Sequence, residues 1–143
     1  HPYNIGTTIW SPLRSGFLTG KYLDGIPDDS RATQDGYGWL LEDLEERRER
    51  GEFDVVRKLV DFAAKIKCTP AQLALAWCLK NSDVSTILMG ATTPEQIQDN
   101  LGCIDVAKAL TDDDMSKIED ILTNKPDSWM GPGGAGTRQL NTL

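Results

Sequence analysis

Thr7-Thr8-Ile9-Trp10-Ser11-Pro12-Leu13-Arg14-Ser15-Gly16-Phe17-Leu18-Thr19-Gly20-Lys21-Tyr22 is the stretch on which the reading of this chain turns. Thr7 to Trp10 is β-branched and aromatic, the composition of a strand. Pro12 has no N–H to donate and ends any regular ladder. Ser11, Ser15, Gly16, Thr19 and Gly20 then form a loop of small residues, with one cation, Lys21, just beyond it. Small side chains leave the backbone open, so several N–H groups can approach a ligand together. With a lysine alongside, the guest that fits is a phosphate or pyrophosphate. The pattern is neither a P-loop nor the dinucleotide fingerprint, so a plain polar connection with a solvated Lys21 stands beside that reading.

A second stretch repeats the theme. Val84 to Met89 is apolar and β-branched, a strand closing at Gly90. In Ala91-Thr92-Thr93-Pro94-Glu95-Gln96, Thr93 suits an N-cap and Pro94 the first helical position. A strand that runs through glycine into a helix N-terminus presents free N–H groups and the positive end of the dipole to an anion. Thr92 and Gln96 add donors. Asp99 and Asn100, one turn on, are able to read the polar edges of a base or ribose. Alone, the same residues also describe an ordinary capped helix.

Between these stretches, Asp24 to Arg31 is dense in turn formers, and Ser30 to Gly38 reads as a surface excursion. Arg31 is the residue there suited to a phosphate or a planar ring, or else to solvent beside Asp28 and Asp29. Leu40 to Arg50 is helix-prone, and its sign-blocked charges, Glu45 to Arg50, read as a solvated face. From Gly51 to Ile66, Phe53, Val56, Leu59, Val60, Ala63 and Ile66 recur at helical spacing as one buried stripe. Thr69, Pro70 and Gln72 form a capping box that opens a helix to Lys80. Its run Leu73 to Leu79, Cys78 included, is apolar all round, as in a helix wedged among other elements. Ala107 to Leu110 leads to Thr111 and a capped helix reaching about Leu122. The glycine-rich segment Gly131 to Gly136 lies in a stretch, 127–143, expected to be a flexible tail.

Composition narrows the function. With 39% hydrophobic and 26% charged residues, the chain has the make-up of a soluble globular protein. A net charge of -7 argues against nucleic acid as the partner. No apolar run approaches the ~20 residues of a membrane span, and the opening residues lack signal-peptide shape. Cys68, Cys78 and Cys103 lack the spacing of a zinc site or a disulfide framework. The only histidine is His1, so a Ser-His or Cys-His catalytic pair is not expected. A chain starting at His1 reads as processed or as a piece of something longer.

Strand, excursion, helices, strand and capped helix follow α/β logic with parallel strands. A (β/α)8 barrel typically needs about 250 residues, and this chain has the length of about half of one. Trp10-Ser11-Pro12-Leu13 through Gly20-Lys21-Tyr22, then Gly25-Ile26-Pro27 and Ser30-Arg31, resemble the aldo-keto reductases. The resemblance is to the branch holding the β subunits of voltage-gated potassium channels and their microbial and plant relatives. Thr69 to Leu79, Gly90 to Asn100 and Leu122 to Pro126 match the same branch, so the likeness runs from about Ile5 to Pro126. Arg14 and Ser15 depart from the small pair usual in the channel subunits, Asp29 stands in place of an aromatic residue, and Asp99 in place of Glu. These departures favour a reductase of another lineage.

The resemblance implies the C-terminal portion of a TIM barrel: its last two strands with their helices, in a domain spanning residues 1–126. It implies NADP(H) as cofactor and a small-molecule carbonyl as substrate of the intact protein. Trp10, Ser11, Pro12, Leu13, Arg14, Ser15 and Lys21 would wrap the pyrophosphate and nicotinamide side. Gly90, Thr92 and Gln96 would face the 2′-phosphate, with Asp99, Asn100 and Arg31 at the adenine. The family's catalytic Asp, Tyr, Lys and His lie on earlier strands, so no catalytic residue is assigned here and the chain alone is expected to be inactive. The other readings are a non-catalytic subunit that senses NADPH, with a second copy or a channel α subunit as partner, and an inactive truncated product. A cytoplasmic location is expected.

Overall fold

A computed structural model of the protein describes residues 5–125; the tail expected at 127–143 lies outside them. β1 (Thr7–Trp10) and β2 (Val84–Leu88) form a two-stranded parallel sheet. Thr7 pairs with Val84, Thr8 with Thr86, Ile9 with Ile87 and Trp10 with Leu88, with one irregularity between Thr7 and Thr8. Six α-helices are described: α1 (Gly38–Glu49), α2 (Glu52–Lys65), α3 (Pro70–Leu79), α4 (Pro94–Leu101), α5 (Cys103–Ala109) and α6 (Asp112–Leu122). Short 3-10 turns at Arg14–Thr19 and Arg31–Thr33 fill the excursion between β1 and α1.

The local signals act where they stand in the chain. Thr69 accepts a hydrogen bond from the Gln72 N–H at 3.2 Å, and the Gln72 side chain accepts from the Thr69 N–H at 3.1 Å, closing the capping box. Thr111 and Asp114 close the same box on α6, whereas Thr93 caps α4 only by accepting from the Gln96 N–H, with Pro94 at the first turn. The mixed α/β architecture, with helices between parallel strands, follows the expected logic.

Two apolar clusters hold the elements together. One gathers Phe62, Ala63, Leu73, Leu75, Ala76, Cys103, Leu110 and Ile118. The other gathers Phe17, Tyr22, Ala32, Leu40, Leu44, Phe53 and Val56 beneath the loop after β1. Helix α2 belongs to both, its first half in the second cluster and its last turns in the first.

Four expectations need correction. The sign-blocked face of α1 is not wholly solvated: Arg47 is 1% exposed. Its Nε and Nη2 donate to Asp43 at 2.7 and 2.9 Å, and its Nη1 to Glu52 at 2.5 Å. Residues 103–109 form a helix, α5, rather than the approach to α6. Gly102 between α4 and α5 keeps helical dihedrals (φ −57°), so the chain turns there without leaving helical backbone. The α3 run is buried at Leu73, Leu75 and Ala76, but Cys78 is only half-buried and Leu79 is exposed. The excursion stops at Tyr37, because Gly38 already belongs to α1.

Candidate functional site

Parallel pairing puts the carboxyl ends of β1 and β2 side by side, since Trp10 lies opposite Leu88. Neighbouring strands stand about 4.8 Å apart, so the 11–21 loop and the 89–93 loop leave the sheet together. Both sequence-predicted anion sites therefore open at one end of the molecule.

The first loop is held in an unusual backbone shape. Ser11, Arg14 and Ser15 have φ of 52°, 48° and 55°, and Gly16 follows at 90°. Left-handed residues without glycine cost about 1–2 kcal/mol each and persist only where neighbours over-determine them. Here the Arg14 N–H donates to Ser11 O at 2.9 Å and the Gly16 N–H to Leu13 O at 2.9 Å. The Tyr22 hydroxyl donates to Ser15 O at 3.2 Å. Phe17 anchors the segment from below. Its ring lies 5.2 Å from that of Phe53 and 5.2 Å from the Arg47 guanidinium. Burial opposes the Arg47 charge, but the hydrogen bonds and charges of Asp43 and Glu52 outweigh it and raise its pKa.

Lys21 folds back over this loop. A Cβ on Gly16 would fall 2.6 Å from Lys21 Cε and 2.8 Å from Nζ, so the flexible end of the lysine lies close over a glycine whose φ of 90° other residues rarely adopt. The same Nζ stands 4.9 Å from the centre of the Tyr22 ring. Trp10 is 83% exposed, Pro12 is buried, and Ser11 and Leu13 are half-buried. Arg14 instead lines a cleft with Arg47 and Glu52.

In the second loop, Gly90 through Thr93 are exposed. The Thr92 N–H and hydroxyl donate to Gln96 Oε1 at 2.8 and 3.1 Å. A backbone N–H can only donate, so the Gln96 oxygen faces Thr92 and its NH2 group is left for another partner. The Glu95 carboxyl is held below its ordinary pKa by its own backbone N–H and by the Thr93 hydroxyl. Negative charge is thus favoured in the first turn of α4, as at any helix N-terminus.

Asp99 and Asn100, expected at the adenine, lie in the second turn of α4. Asp99 accepts from the Thr69 hydroxyl at 2.9 Å and from Gln72 Nε2 at 3.0 Å, so both carboxylate oxygens serve the start of α3. Asn100 is 4% exposed. Arg31 is exposed, its guanidinium 5.5 Å above the Tyr37 ring. Arg47 and Glu95 are the site-shaping residues that sequence reasoning passed over. The four-residue spacing of Asp43 and Arg47, and an acid directly after Pro94, were the available signals.

Burial pushes the thiols of Cys68, Cys78 and Cys103 up, the reverse of an activated nucleophile. Among the described residues, no group of three or more His, Cys, Asp and Glu is placed to hold a metal, and no helix is long and apolar enough to cross a membrane.

Comparison with known proteins adds two findings. The model of the "Aldo/keto reductase family" matches residues 1–123. A Schizosaccharomyces pombe protein named "Putative voltage-gated potassium channel subunit beta" is 44% identical over 124 residues, which is 87% of this chain and 36% of that protein. The chain therefore spans little more than a third of the length of this curated relative.

Proposed function

The chain belongs to the aldo/keto reductase family, and on that premise we propose that it is the C-terminal, NADP(H)-holding portion of a carbonyl reductase. In this reading β1 and β2 are the last two strands of a (β/α)8 barrel, and residues 1–126 belong to its domain. The observation that carries the proposal is the parallel register of Trp10 with Leu88, which brings two anion-suited loops to one sheet end. Ligands of such barrels bind at the carboxyl ends of the strands.

The residues present fit the cofactor. Lys21 over Gly16 offers a cation to a pyrophosphate, and the backbone of residues 10–15 offers close approach. Thr92, with the NH2 of Gln96 that is left free when its oxygen accepts from Thr92, suits the 2′-phosphate at the α4 N-terminus. Arg31 suits the adenine. Asn100 reaches the base only where a ligand draws it out of its buried position. Asp99 acts through α3, as a positioning residue. Bound NADPH supplies hydride to a carbonyl carbon. In this reading the proton donor is the tyrosine that the resemblance places on an earlier strand of the barrel.

The name of the Schizosaccharomyces pombe relative favours a second reading, a regulatory subunit in which the same loops sense NADP(H). Both readings share the site and differ in whether a carbonyl is turned over.

Titration of NADPH and NADH against the intact protein tests the site. A hydrogen bond to a charged group is worth about 1.5–3 kcal/mol, so Gln96→Ala should weaken NADPH by about ten- to a hundredfold and leave NADH unchanged. Lys21→Ala should weaken both together, because the pyrophosphate is common to them. Equal loss of NADH and NADPH in Gln96→Ala would overturn the placement of the 2′-phosphate.

A further inference from the structure

Between the loop after β1 and helices α2, α3 and α6 lies a cleft of about 160 Å3. Neither Lys21 nor any residue of the 90–96 loop is in its wall. Most of that wall is apolar, with Leu59, Ala74, Trp77 and Ile118 among its residues, and charge is confined to Arg14, Arg47 and Glu52. Two of these three are already satisfied. Arg47 holds Asp43 and Glu52, and Glu52 also accepts from Arg50 Nε at 2.8 Å.

Arg14 is the exception. It is half-buried, and its side chain makes no hydrogen bond or ion pair among the described residues. Burial, reinforced by the Arg47 charge, pulls its pKa down. Asp43 and Glu52 feel its charge but are committed to other guanidinium groups. A partly desolvated arginine beside an apolar cleft gains from one added anion, and its planar fork matches a carboxylate.

We propose that this cleft binds a small apolar carboxylate, with its carboxylate on Arg14 and its hydrocarbon body against Leu59, Ala74 and Trp77. An apolar cavity of about 150 Å3 holds one benzene ring, so the ligand class is a monoaromatic or short-chain acid. The cleft borders the loop proposed for the cofactor through Pro12 and Arg14, but its test reads carboxylate binding with no NADPH present, so its failure and that of the cofactor reading are distinguishable.

Benzoate and its uncharged counterpart benzyl alcohol are the probes, titrated into the full chain by calorimetry and followed at the Trp77 indole N–H by NMR. Benzoate should bind at least about tenfold tighter than the alcohol, the effect of a charge-assisted hydrogen bond. It should shift the Trp77 resonance while leaving that of Trp10 in place. Arg14→Gln should bring benzoate down to the level of the alcohol, and Ala74→Leu, which fills the cleft, should abolish binding of both. Circular dichroism establishes that each variant is folded, and the Trp77 shift tests the site in the unaltered chain. Absence of a Trp77 shift, equal affinity for the two probes, or benzoate binding that survives either substitution in a folded variant would overturn the proposal.

Discussion

Asp99 accepts two hydrogen bonds from the start of α3, and Gln72 Nε2 also reaches the Asp99 carbonyl at 2.8 Å. One carboxylate thus fastens the helix after β2 to the helix before it. Gly102 permits the arrangement, since a Cβ there would lie 2.5 Å from Gln72 Nε2. Asp99→Ala strips the Thr69 hydroxyl and the Gln72 amide of a charged acceptor. Bonds of that kind contribute about 1.5–3 kcal/mol, so the urea midpoint should fall by the equivalent of that range. A midpoint unchanged within error would show that α3 and α4 are held by apolar packing alone. In the sequence, the position of Asp99 one turn into α4 was visible, but its direction was not. Thr69 and Gln72 precede it by 30 and 27 residues, and only the fold brings them within reach. Arg47 was hidden for a related reason. Asp43 is a local partner, but Glu52 lies across the α1–α2 junction and Phe17 thirty positions back.

At the scale of elements, α6 shows how a cap becomes a pH response. The Thr111 hydroxyl, helped by the Thr111 backbone N–H, holds the Asp114 carboxyl below its ordinary value of 3.8, with Lys117 adding a little. A folded pKa below the unfolded one means stability that is fully present above about pH 4 and is lost as pH falls through the depressed value. Asp114→Asn should therefore lower the thermal midpoint at neutral pH, and the gap to the unaltered protein should close in the most acidic range. Melting curves from pH 2 to pH 7 check this, and a gap that stays constant with pH would contradict it. Caps of this sort were legible because Thr111 and Asp114, like Thr69 and Gln72, lie within four residues of each other. Helix α5 was not, because a glycine after Leu101 is ordinarily a stop signal. Gly102 instead stays helical, packed under the Gln72 amide.

For the molecule as a whole, the order of elements, α5 apart, and the parallel sheet could be read from alternation and turn chemistry. The division into two apolar clusters could not, since it depends on which face of α2 meets which neighbour. Leu59 packs against the cluster of α3 and α6, while the adjacent Val60 packs against that of α1 and the loop after β1. That shared helix has a mechanical meaning: neither cluster can melt without withdrawing support from the other. Val56 lies in the second cluster and is 2% exposed. Val56→Ala should cost about 1–3 kcal/mol, and the cost should be felt in both. Native-state hydrogen exchange reads it directly, as faster exchange of the α6 amides by the same factor as those of α1. Acceleration confined to α1 would mean two foldons joined by a passive rod; equal acceleration makes α2 the strut through which the 10–21 loop and the 90–96 loop draw on one cooperative reserve of stability.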